Sequence, residues 1–134
     1  MQNVLRPARC LEGARILLVE DEVIIAMDLV MSLEDAGAQV THTTRLSRAL
    51  RLAADLALDA AILDVNLGGG DTCEPIAEAL RQQGVPFLLH TGDLHVSGEL
   101  VHRIGAPVAQ KPMVAQGLID MVSQLLDPAA QGPE

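Results

Sequence analysis

The sequence has almost no aromatic residues: Phe87 stands alone, with no tryptophan and no tyrosine. That removes the usual stacking surfaces for flavins, nucleotide bases and single-stranded nucleic acid. Basic residues are scarce as well. Nine lysines and arginines against eighteen acids give a formal charge of −9 and an isoelectric point near 4.7. A nucleic-acid interface needs a basic footprint, so none is expected. Arg45, Arg48 and Arg51 do recur at a spacing of three on one predicted helix, where they read as a solvated face. The two cysteines, Cys10 and Cys73, make neither a secreted disulfide framework nor a zinc-ligand set. A reduced, cytoplasmic setting is the simpler expectation. No apolar run approaches the ~20 residues of a membrane span, and residues 1–13 lack the apolar centre of a signal peptide. No membrane contact is expected.

What is present is a chain of 134 residues, 49% of them apolar, enough for one domain with a substantial core. Its organising stretch is Ala60-Ala61-Ile62-Leu63-Asp64-Val65-Asn66-Leu67-Gly68-Gly69-Gly70. A short continuous apolar run bounded by turn residues reads as a strand buried on both faces, as in a parallel sheet. Asp64 would lie at the strand's carboxyl end, where open α/β sheets place their ligands. The same reading puts strands at 15–19, 39–43, 59–64, 86–90 and 107–110. Helices are predicted at 22–36, 46–58, after a cap at Asp71, Thr72 or Glu74, at 97–104, and through Leu118, Met121, Val122 and Leu125. The three glycines 68–70 read as a mobile loop. Strands alternating with helices call for a doubly wound five-stranded parallel sheet with helices on both faces. Residues 14–127 form this domain, with an extension of uncertain order at 1–13 and a tail at 128–134.

In the 22–36 helix, Ile25, Leu29 and Leu33 make a core stripe, and Ile24, Met27 and Met31 make a second apolar row beside it. Either the extension or a neighbouring helix covers that row, or it is a docking face for a partner helix, for which methionine is well suited.

Parallel strands bring their carboxyl ends to one edge of the sheet. Glu20 and Asp21 leave the first strand, Asp64 the third, Thr91 the fourth and Lys111 the fifth, so these residues should meet. Crowded carboxylates repel one another unless cations intervene. A hard divalent ion with oxygen ligands answers this, and Mg²⁺ suits a site that keeps several waters. Such a pocket is arranged for phosphoryl transfer onto Asp64, with Lys111 and Mg²⁺ neutralising the phosphoryl oxygens. The Thr91 hydroxyl can donate to one of those oxygens, and the Asn66 carbonyl is within reach of the metal. Asn66 and Asp93 are placed to position a hydrolytic water, so autodephosphorylation is expected. His90 and His95 flank the site and read as core or loop histidines, while His42 and His102 show nothing specific.

The pieces Leu18-Val19-Glu20-Asp21-Glu22, Leu63-Asp64-Val65-Asn66-Leu67, Thr91-Gly92 and Lys111-Pro112 follow one another in an order and spacing that resembles a response-regulator receiver domain of two-component signalling, with its flavodoxin-like receiver fold. The resemblance covers residues 14–126 and is nearest to a bacterial stand-alone, single-domain subgroup. It implies that Asp64 is the phosphorylated aspartate, and that Glu20, Asp21, Asp64 and the Asn66 carbonyl hold Mg²⁺. It also implies that Thr91 is the switch hydroxyl and that Lys111, before a cis Pro112, contacts the phosphate. The donor would be a sensor histidine kinase or a histidine phosphotransfer protein. The output would be contact with an unknown downstream protein or a phosphate sink, with a homodimer left open. The chain would be a phosphoacceptor, not an enzyme acting on another substrate.

Two departures stand out. Val108 occupies the position where receivers usually carry a Tyr or Phe that swings inward on activation. The run Leu89-His90-Thr91-Gly92-Asp93-Leu94 replaces the subgroup's Phe-Ala-Thr-Gly and following aromatic. The switch must then rest on Thr91 and on movement of residues 92–104. A receiver-shaped binding module that is never phosphorylated is the alternative reading. An aspartate-nucleophile phosphatase would need an acid where Asn66 stands, and a flavin carrier would need flanking aromatics.

Overall fold

Arg15-Ile16-Leu17-Leu18-Val19 has no polar alternation because both of its faces are covered. In the structure, a computed structural model describing residues 10–92 and 94–127 with the side chains of 94–97 excepted, Ile16 and Leu18 enter one core cluster and Leu17 and Val19 another. The elements in chain order are β1 (Arg15–Val19), α1 (Val23–Asp35), β2 (Gln39–Thr43), α2 (Leu46–Asp55), β3 (Ala60–Asp64), β4 (Asn66–Gly68), β5 (Asp71–Thr72), α3 (Glu74–Gln82), β6 (Phe87–Thr91), α4 (Leu94–Ile104), β7 (Val108–Gln110) and α5 (Ala115–Leu126). β2, β1, β3, β6 and β7 lie side by side in that order, every pairing parallel. This is the doubly wound α/β receiver fold expected from the sequence.

The two core clusters are the two faces of the sheet. Ile62 and Leu88 pack with Leu29, Leu33, Leu118 and Val122 of α1 and α5. Leu63 and Leu89 pack with Ala49, Ala53, Ile76, Leu80 and Ile104 of α2, α3 and α4. β3 and β6 are buried along their whole length, so their carboxyl ends meet at the middle of one sheet edge.

Several details differ from the sequence reading. The glycine run is a turn of a small antiparallel hairpin: Asn66 pairs with Thr72 and Gly68 with Asp71. Gly69 and Gly70 have φ of 60° and 86°, as a two-residue primed turn requires. α2 stops at Asp55, where Leu56 turns extended and Leu58 packs partly against the core. Helix α3 starts at Glu74, and of the proposed caps it is Thr72 whose Oγ1 accepts the Glu74 N–H at 3.3 Å.

The end of the predicted extension joins the domain. Leu11 is buried among α1 and α5 side chains, its N–H donates to the Ala36 carbonyl, and the Gly13 N–H donates to that of Gly37. The row Ile24, Met27 and Met31 is exposed (84%, 60% and 64%), and no described element lies over it. Arg45, Arg48 and Arg51 are exposed, as a solvated face requires.

Candidate functional site

The five residues predicted to converge leave the carboxyl ends of four strands of one parallel sheet. Glu20 and Asp64 are buried and Asp21 is the most exposed of the three acids; ligand atoms of all three lie within 4.8 Å of one another. Lys111 reaches in from the end of β7. Its Nζ is 3.2 Å from Asp64 Oδ2 and 3.0 Å from Glu20 Oε1, and it donates to Glu20 Oε2 at 3.2 Å. The lysine is set there by its main chain, because its N–H donates to the Thr91 carbonyl at 2.8 Å. Its aliphatic stem passes beside Gly92, and the bond to Pro112 is cis. Thr91 itself is buried at the end of β6. Asn66 opens the hairpin two residues past Asp64, and the third residue of β4, Gly68, lies beside the Asp21 carboxylate.

Among the described residues, three acids around one cation leave the site short of positive charge. Burial, a hydrogen bond with Asp21 and the Glu20 charge push the Asp64 carboxyl up to about 8, and Lys111 offsets this only in part. Burial works against the Lys111 ammonium, but the Glu20 hydrogen bond and the two carboxylate charges carry it above the usual lysine range. An oxygen-only donor set with excess negative charge fits a hard divalent cation, and no nitrogen or sulfur belongs to the three-acid cluster.

Glu20 is held more closely than the sequence disclosed. Its N–H donates to the Thr43 carbonyl at 3.1 Å, and its carbonyl lies 3.0 Å from His42 Nε2. A carbonyl oxygen only accepts, so Nε2 carries the proton. Its Oε2 also accepts the Glu22 N–H at 3.1 Å. His42 was missed because its role depends on β1 and β2 lying edge to edge, with Leu18 opposite His42. His90, opposite Asp64, is buried with Nδ1 3.9 Å from Glu20 Oε1. Burial first, then the Lys111 charge, hold its imidazole below the usual range, against the pull of Glu20. Val108 is half-buried in β7. Asp93 and the side chain of His95 lie outside the described residues.

A concavity of about 650 Å³ lies at the opposite, amino-terminal edge of the sheet, bordered by Asp59, Arg81, Phe87 and Leu126. Its charged groups are already engaged: Arg81 donates to the Ile104 carbonyl and stacks over Phe87, and Asp59 accepts the Arg15 N–H. Among the described residues no helix is long and apolar enough to cross a membrane.

No family model and no curated protein matches the sequence. Solved structures do. SdrG from Sphingomonas melonis Fr1 is 37% identical, with a TM-score of 0.69 over 86% of this chain and 98% of that one. A response regulator receiver protein from Sinorhizobium medicae WSM419 is 26% identical, with a TM-score of 0.78 over 88% and 98%. The receiver domain of sensor histidine kinase PA1611 from Pseudomonas aeruginosa PAO1, which has a magnesium ion coordinated in its active-site cleft, is 22% identical with a TM-score of 0.77 over 85% and 98%. The chain belongs to the response-regulator receiver family.

Proposed function

We propose that this receiver accepts a phosphoryl group on Asp64, in a Mg²⁺-dependent reaction, from a histidine kinase or histidine phosphotransfer protein. The observation that carries the reading is the convergence of Asp64, Lys111, Glu20 and Asp21 from separate strands into one acidic pocket with a single ammonium. In the transfer, an Asp64 carboxylate oxygen attacks phosphorus. An O–P bond forms as the P–N bond to the donor histidine breaks, and the departing imidazole keeps the electron pair and takes a proton from water. Lys111, already within 3.2 Å of Asp64, turns its charge to the phosphoryl oxygens. Thr91 donates its hydroxyl to one of them. When bound by Glu20, Asp21, Asp64 and the Asn66 carbonyl, Mg²⁺ supplies the remaining positive charge and favours the ionised Asp64.

With no tyrosine in the chain and Val108 at the usual aromatic position, the signal passes through Thr91 and a shift of residues 92–104. The output is contact with a downstream protein or removal of phosphoryl groups as a sink, in the cytoplasm. The exposed row Ile24, Met27 and Met31 opens just after Glu22 and supports contact with a partner protein. The domain is a phosphoacceptor that promotes its own phosphorylation and dephosphorylation.

The test is phosphate incorporation from an acyl phosphate or a phosphorylated kinase. Wild type should take up about one base-labile phosphate per chain only with Mg²⁺, and Asp64→Asn should fall to background. Equal labelling of Asp64→Asn would move the phosphoacceptor to another residue, and no labelling of wild type by either donor would leave a binding module that is never phosphorylated.

A further inference from the structure

Two buried polar atoms at the site have no hydrogen-bond partner among the described residues, Glu20 Oε1 and His90 Nδ1. They face each other at 3.9 Å. Glu20 is 0% exposed and His90 4%. Leaving a buried polar group unpaired forfeits its hydration with nothing in return, so a pair of them needs a reason. Strand register supplies the placement. His90 lies opposite Asp64, and alternation puts both on the sheet face of Ile62 and Leu88, toward α1 and α5.

Glu20 Oε1 is balanced in this state by Lys111, whose Nζ lies 3.0 Å away without hydrogen-bond alignment. The same ammonium is shared with Asp64. Resting on the phosphoacceptor reading, Lys111 must turn to the phosphoryl oxygens once Asp64 is esterified. Glu20 would then lose the cation beside Oε1 while it still has a metal to hold. We propose that His90 takes over at that moment: its Nδ1–H donates to Glu20 Oε1 and keeps the carboxylate aimed at the metal. The approach needed is about 1 Å, from van der Waals distance to a normal hydrogen bond. A neutral imidazole in its Nδ1–H tautomer is sufficient. His90 is thus a positioning residue that acts through Glu20, and with His42 on the main-chain carbonyl it makes Glu20 the most closely held acid of the site.

The experiment compares wild type, His90→Asn and His90→Leu by calorimetric titration with Mg²⁺, with and without beryllofluoride as the phosphoryl mimic. Asn offers an amide N–H close to where Nδ1 sits, and Leu fills the space with no donor. With beryllofluoride, Leu should weaken Mg²⁺ binding about tenfold or more while Asn stays within about threefold of wild type. Without it, all three should agree within about threefold, because Lys111 still serves Glu20. Leu equal to wild type under beryllofluoride, an equal loss in both states, or an Asn loss as large as that of Leu would each overturn the assignment. If the Leu variant does not fold, a long-range ¹H–¹⁵N spectrum of wild type decides. Nδ1 of His90 should carry the proton with Mg²⁺ and beryllofluoride, and a bare Nδ1 rejects the proposal. Wild type that takes up no beryllofluoride removes the phosphoacceptor reading itself, which separates that failure from this one.

Discussion

Asp64 is ionised at the expense of the folded state. A carboxyl whose ordinary value of 3.8 is pushed up to about 8 holds its proton more tightly folded than unfolded. Its contribution to stability is therefore fully present below about pH 4 and is lost as pH rises through 8. In metal-free protein, Asp64→Asn should remove this dependence. The variant should be more stable than wild type by about 1–2 kcal/mol at pH 8, water entry and relaxation taking up the rest of the shift, and by much less at pH 5. Urea titrations in a chelator at both pH values check it; a gain no larger at pH 8 than at pH 5 contradicts the assignment. Cys73 shows the same direction without a role in the chemistry. Burial pushes its thiol from 9.0 to about 12, so the folded protein keeps it protonated at pH 8. A thiol reagent at that pH should modify only the exposed Cys10 in the native chain and both thiols in denaturant. Two fast-reacting thiols in the native protein would mean that α3 does not close over Cys73.

At the scale of elements, the first turn of the fold depends on one glycine. Gly37 ends α1 with φ of 104°, and a Cβ there would lie 2.6 Å from the Glu12 main chain. This close approach lets Leu11 reach the α1–α5 core. Gly37→Ala should cost about 2–3 kcal/mol, read as a lower urea midpoint at unchanged slope. A loss under 1 kcal/mol would show that the 10–13 segment can be displaced cheaply. What the sequence disclosed about elements follows from how local their causes are. β1, β3 and β6 were legible because burial on both faces writes a continuous apolar run. Leu11 was not, since one apolar residue without a period carries no signal until Gly37 is seen to make room for it. The 68–70 turn was misread for a related reason: a glycine run permits a tight hairpin and a loose loop alike, and the pairing of Asn66 with Thr72 decides between them.

The whole molecule explains why the site was more legible than some of the structure around it. A parallel sheet sends every strand's carboxyl end to one edge, so Glu20, Asp21, Asp64, Thr91 and Lys111 could be gathered from sequence without the strand order. The contacts of the histidines could not: His90 was placed beside the site, but what it and His42 touch depends on lateral neighbours in the order β2-β1-β3-β6-β7. The molecule also carries a formal charge of −9, so any salt relieves some self-repulsion. A metal held by the three acids must do more than that. Mg²⁺ at about 100 times its dissociation constant should add about 2.7 kcal/mol, or about 8–12 °C in melting temperature for a domain of this size. Sodium chloride at equal ionic strength should give only a small part of this rise. Asp21→Asn, which removes a ligand while leaving Glu20 and Lys111 paired, should lose most of the Mg²⁺ increment but keep the sodium increment. If the Mg²⁺ increment survives in Asp21→Asn, the ion acts on the surface charge as a whole, and the acidic cluster is not where it binds.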